Sequence, residues 1–148
     1  MKKILICLFF LLSSCGYQSI YVGKDSNNFL FNEIILTGDN KINQRIVSVL
    51  NFEEDKSNNA YDKIILNSTK NTVGTSKDSK GQIISYKTSI NIKLIIEENG
   101  KVLKTKTFTD YFSYNNKDNK FELAEYQNEV ENNLTKSLID EIFLYLNI

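Results

Sequence analysis

The chain has 148 residues with 18 basic and 18 acidic side chains, no histidine, no tryptophan and no proline. Without histidine the most frequent neutral-pH acid/base group is missing, and with cysteine only at Cys7 and Cys15 the usual zinc-ligand sets are missing too. The balance of charge argues against nucleic acid as a partner.

Lys2 and Lys3 precede an unbroken apolar run from Ile4 to Leu12, followed by Ser13-Ser14-Cys15-Gly16. A positive start, a short apolar segment and small residues before a cut make a signal peptide. The run is too short for a span, which needs about 20 apolar residues. The order Leu12, small, small, Cys15 resembles the lipobox read by lipoprotein-processing enzymes, so residues 1–14 are expected to be removed and Cys15 acylated. Cys7 leaves with the signal, so the mature chain keeps a single sulfur and forms no internal disulfide. Several acyl chains on that sulfur hold firmly where one would hold marginally. The remaining 134 residues suit one domain, with 16 basic against 18 acidic groups.

Residues 15–28 read as a lipidated tether, and residues 29–148 as a single domain. Phe29 to Leu36 gathers β-favouring residues into a first strand that Gly38 breaks. Asp39 or Asn40 is a suitable N-cap for a helix carrying Ile42, Ile46, Val49 and Leu50 on one side, through about Phe52. Arg45 faces away from that stripe, where it either pairs with an acid of a partner or stands on the surface without one. Glu53 to Asn59 ends the helix as a polar break. A second strand is expected over Tyr61 to Lys70, with Asn71 to Gln82 as a loop or hairpin tip.

Ile83 to Glu97 alternates Tyr86, Thr88, Ile90, Ile92, Leu94 and Ile96 with polar residues, the pattern of a strand with one face buried. Asn99-Gly100 favours the left-handed torsions of a two-residue hairpin turn, so a fourth strand runs from Lys101 to about Tyr114. In that register Ile96 faces Leu103, Lys93 faces Lys106, and Phe108 and Phe112 point to the wet side. A bulge near Thr105 to Thr107 is therefore expected to turn them inward. Asn119 with Glu122 fits a capping box for a long last helix. Its stripe is Leu123, Tyr126, Val130, Leu134, Leu138, Ile142 and Tyr145 or Leu146, and Glu125, Glu129, Asn132, Lys136 and Asp140 fill the other side. The order β-α-β-β-β-α gives an α+β fold, with two helices packed on one face of a four-stranded, mostly antiparallel sheet.

Three places carry a family resemblance: the junction Cys15-Gly16-Tyr17-Gln18-Ser19-Ile20-Tyr21, the extended strand with its Asn99-Gly100 hairpin, and the run Phe112-Ser113-Tyr114-Asn115-Asn116 leading to the helix with Ala124. On these the chain resembles the LPS-assembly lipoprotein LptE family, in its alphaproteobacterial form, with Ser19 standing where that family commonly has proline. The resemblance implies a non-enzymatic outer-membrane lipoprotein on the periplasmic face. Its implied work is to plug and help assemble the β-barrel LptD and to assist passage of lipopolysaccharide to the outer leaflet, with no cofactor and no nucleic acid. Gly16 is compatible with passage to the outer membrane.

Lipid A carries phosphates, so cations on a projecting element are the expected contact: Lys70, Lys77, Lys80 and Lys87, between the second and third strands, are the candidate site for lipopolysaccharide or the barrel. The plainer alternative is a solvated lysine-rich loop that deters edge pairing. Two other functions compete. One is an accessory of outer-membrane protein assembly; the other is a hydrolase using Glu97, Glu98 and Asp110. Glu97 and Glu98, as neighbours on a strand, point to opposite faces and make no catalytic pair.

Overall fold

A computed structural model describes residues 29–56 and 61–147. The expected signal peptide, Cys15 and the tether lie outside the described residues. The elements are β1 (Phe29–Gly38), α1 (Asn40–Val49), β2 (Phe52–Glu54), β3 (Tyr61–Lys77), β4 (Ile83–Glu98), β5 (Lys101–Asn115) and α2 (Lys120–Leu146).

The sheet has five strands in the order β2-β1-β3-β4-β5, not four. β1 runs parallel to both β2 and β3, while β3, β4 and β5 are antiparallel. The additional strand comes from the stretch read as the end of a helix and a polar break. Asn51 takes a left-handed φ of 50° after Leu50 caps α1, and this turns the chain back along β1. Phe52 then buries its ring edge-on against Phe29 and Phe31, at 5.7 and 5.4 Å between centroids. Helical spacing carries the expected helix through about Phe52; aromatic packing claims that residue for the sheet.

Local chemistry fixes the other boundaries. Asp39 caps α1 by accepting from the Ile42 N–H at 3.1 Å, as expected. Gly38 stands at φ +85°, and a Cβ there would lie 1.9 Å from the Ser68 carbonyl oxygen. Only glycine allows that close approach, which also brings the Asp39 N–H to Ser68 O at 2.9 Å. Asn99 and Gly100 both have positive φ, as the hairpin turn requires. Asn119 caps α2 through Phe121 N–H at 2.8 Å.

β3 and β4 pair far beyond the expected Lys70. Asn71 to Lys77 is strand, not loop, and the tip shrinks to Asp78 through Gln82. Polar residues hold this arm: Thr72 bonds Thr88 at 2.8 Å, and Thr75 bonds Ser85 at 2.7 Å.

The expected bulge exists, but beside the Asn99-Gly100 turn. Glu97 pairs with Val102 and Ile96 with Lys104, so Leu103 is the additional residue. Ile96 therefore faces Lys104, not Leu103, and Lys93 faces Thr107, not Lys106. An early bulge corrects the whole strand at once, aligning Phe108 with Ile92 and Tyr114 with Tyr86 on the inner face. Lys104 and Lys106 come inward as well, where the Tyr145 ring lies 5.5 and 5.0 Å from their ammonium groups.

Both helices share one core with the inner face. Ile42 and Ile46 of α1, Leu138 and Ile142 of α2, and Ile64, Leu66, Ile90, Ile92 and Leu94 of the sheet are all at most 1% exposed. Among the described residues the opposite sheet face carries no helix, and it presents rows such as Thr69-Asn91-Thr109 and Asn67-Lys93-Thr107. Thr109 donates to Asn91 Oδ1 there at 2.8 Å.

Candidate functional site

The four lysines of the candidate site are dispersed by the strand alternation that the longer β3 imposes. Lys70 is on the inner face beside Ile90, and its ammonium bonds Glu131 Oε2 of α2 at 2.5 Å. Lys87 pairs with Val73 and Ser113 and lies 3.8 Å over the ring of Tyr111, on the open face. Lys77 closes β3 and Lys80 sits in the tip, both exposed. Asp78 organises that tip by accepting from the amides of Lys80 and Gln82 at 2.9 and 2.8 Å. The site therefore divides: Lys77 and Lys80 form a small projecting cationic tip, Lys87 is flanking, and Lys70 is committed to the fold.

The cluster that captures Lys70 was not legible from spacing. Glu131 is 4% exposed, yet it follows Val130 on the helix stripe, the one sequence signal that it turns toward the core. Lys41 at the start of α1 reaches its Oε1 at 2.8 Å, so one carboxylate joins both helices to β3. Burial pushes the Glu131 carboxyl up, but hydrogen bonds and charge from Lys41 and Lys70 outweigh it and hold it below its ordinary value. The bond to Glu131 raises Lys70 in turn, against desolvation and with help from the charges of Glu131 and Asp39. Arg45, read either as pairing with an acid of a partner or as a surface group, donates to Asn132 on α2 at the surface.

Beside this cluster a polar groove of about 310 Å³ opens between the arm and α2, lined by Lys70, Thr72, Thr88, Gln127, Asn128 and Glu131. Thr88 links Thr72 to the Tyr114 hydroxyl at 3.0 Å, and Tyr114 lies between Tyr86 and Tyr126 at 5.9 and 5.5 Å. The groove offers hydroxyls, amides and an already paired ammonium, groups suited to hydrogen bonding. Glu97, paired with Lys63, and Asp110, paired with Ile90, are separated by the faces they occupy. Among the described residues no group of three or more metal-ligating side chains forms, and no helix is long and apolar enough to cross a membrane.

No protein-family model and no curated protein sequence matches the chain. The fold is nevertheless shared with solved structures. Rare lipoprotein B from Shewanella oneidensis superposes with a TM-score of 0.54 at 11% identity, over 78% of this chain and 94% of that one. The uncharacterized lipoprotein B from Nitrosomonas europaea gives 0.52 at 11% identity, over 86% and 87%. The chain therefore shares its α+β fold with these two lipoproteins, and its described residues form a mixed five-stranded sheet with two helices on one face.

Proposed function

We propose that the protein is an LptE-like lipoprotein, anchored through Cys15 at the periplasmic face of the outer membrane, that plugs and helps assemble an LptD-type β-barrel and assists lipopolysaccharide transport. The observation that carries this reading is the coincidence of a lipobox junction, Leu12-Ser13-Ser14-Cys15, with a fold shared by two lipoproteins. Two structural features support it. Apart from an Ile35-Ile65-Ile95 row and Tyr111, the open sheet face carries mostly Thr, Asn, Ser and Lys, chemistry that suits the polar lumen of a barrel. The β3–β4 arm carries Lys77 and Lys80 beyond the helices, where phosphates of lipid A are reachable. The work is contact and assembly, not bond breaking.

Depletion of the protein followed by a count of lipopolysaccharide at the cell surface is the test. A fall in surface lipopolysaccharide, with loss of the folded barrel, is the expected result. Normal barrel biogenesis and normal surface lipopolysaccharide without the protein would defeat the proposal. Mass spectrometry of the mature N-terminus checks the anchor separately, since acylation adds the mass of the lipid to Cys15.

A further inference from the structure

The two edges of the sheet are treated differently. At the first, β2 covers the start of β1, and beyond it the Glu54 carboxylate accepts the Ile34 N–H at 3.1 Å. At the second, β5 is 15 residues long and, among the described residues, has no neighbour beyond it. Its first half is guarded by the Leu103 bulge and by Lys101, Lys104 and Lys106, and the Tyr145 hydroxyl reaches the Thr105 carbonyl at 3.4 Å. Bulges and lysines are the usual protection of an edge.

The second half, from Thr107 to Ser113, has none of these. In an antiparallel pair the N–H and C=O groups of alternate residues point away from the neighbour. The Tyr111 N–H is turned outward, since it meets the Asp110 carboxylate at 2.8 Å, and the Thr105 carbonyl is turned outward to Tyr145. By the same parity Thr107, Thr109 and Ser113 direct their backbone groups to the open side. Tyr111 and Phe112 are 58% and 47% exposed along the same stretch.

Directly beside this window, between β5 and α2, lies a cleft of about 240 Å³. Phe112, Tyr126 and Leu134 give it apolar walls, and Asp110, Glu129 and Asn133 give it polar groups. Outward backbone groups at Thr107, Thr109 and Ser113, with the Tyr111 N–H among them already held by its neighbour Asp110, lie next to a cleft with two carboxylates and fit an added strand that lowers one basic side chain into the cleft: main-chain bonds supply affinity and the pocket supplies selectivity.

We propose that the 107–113 edge of β5 is a strand-addition site, and that its occupant is an extended segment of the partner barrel bearing a Lys or Arg that enters the Asp110–Glu129 cleft. The identity of the partner rests on the function proposed above; the backbone window and the cleft do not.

Thr109→Pro in the full-length protein removes one outward N–H and no β4–β5 backbone bond, a change edge strands tolerate, and because the side-chain bond to Asn91 goes with it the variant is judged against Thr109→Ala. The expected result is an unchanged urea midpoint with barrel recovery in co-purification reduced by roughly tenfold or more. A photoreactive residue in place of Thr107 leaves the backbone intact, and is expected to cross-link to the barrel even if the proline variant folds poorly. Asp110→Asn with Glu129→Gln should lower recovery independently by removing the charge. Wild-type recovery with the folded proline variant, or cross-links that form from Val73 on the arm but not from Thr107, would overturn the site while leaving the proposed function standing. If the wild-type protein recovers no barrel at all, the proposed function falls and this docking falls with it.

Discussion

The β3–β4 hairpin has a root and an arm built from one continuous ladder, and the two are stabilised by different means. In the root, Ile64, Leu66, Ile92 and Leu94 are fully buried beneath both helices. In the arm, Val73 and Ile84 are 45% and 48% exposed, and hydroxyl pairs such as Thr72–Thr88 stand where apolar contacts stood. The boundary falls at Lys70, whose ammonium is drawn inward by Glu131. Burial therefore fixes the register in the root, and the arm inherits it through backbone bonds and hydroxyl pairs. A segment stabilised in that way opens locally at low cost and is free to meet a partner.

The sharpest challenge to this contrast is a matched pair of truncations. Leu66→Ala in the root is expected to lower unfolding free energy by about 2–5 kcal/mol, while Val73→Ala in the arm changes it by about 0.5 kcal/mol or less. Equal losses in urea titrations would mean that the arm is part of the cooperative core. Glu131→Ala comes next, because it leaves Lys70 facing the core without its carboxylate; a loss of about 2 kcal/mol is expected in the same titration.

The same cluster gives the boundary a pH signature. Glu131 lies below its ordinary 4.5 in the folded chain, so the unfolded chain takes up that proton first as pH falls. Its stabilisation is full above 4.5 and is lost as acid carries the pH down through the lowered folded value. Lys70 lies above its ordinary 10.5, so its share is full below that pH and is lost as pH rises through the raised value. Urea midpoints measured across pH should therefore drop at both extremes, and Glu131→Ala should flatten both drops. The smallest effect on stability belongs to the tip: Lys77→Ala with Lys80→Ala is expected to shift unfolding by about 0.5 kcal/mol or less. On the proposed function, binding to lipopolysaccharide should nevertheless weaken; unchanged affinity would remove the tip from the site.

Elements set by neighbours in the chain were legible in advance. Asp39 and Asn119 cap helices because a short acceptor stands before each first turn. Asn99-Gly100 makes its turn because both residues tolerate positive φ. The alternation of Ile90, Ile92, Leu94 and Ile96 allows one reading, a strand with one buried face. The need for a bulge in β5 was also visible, since two aromatic rings on the wet face conflict with burial; its position was not, because every placement before Phe108 gives the same correction.

Other features depend on groups far apart in sequence. Phe52 joins the sheet only because Phe29 and Phe31 wait on the neighbouring strand. Asn71 to Lys77 extends because β4 offers partners, since Asn71 and Gly74 disfavour a strand and interrupt the preference of Thr72, Val73 and Thr75. Lys70 leaves the cationic group because Glu131, 61 positions later, is brought to within 2.5 Å of it.

The sequence by itself determined the α+β class, the caps, the Asn-Gly hairpin and the inward faces of β4 and α2, because each follows from periodicity or from torsions within a few residues. The tertiary structure alone decided the fifth strand, the length of the arm and the division of the four lysines, because each depends on a contact whose partner the chain supplies elsewhere. Backbone preference is local, whereas ion pairing and edge-on ring packing act through space, and only the folded chain brings those groups together.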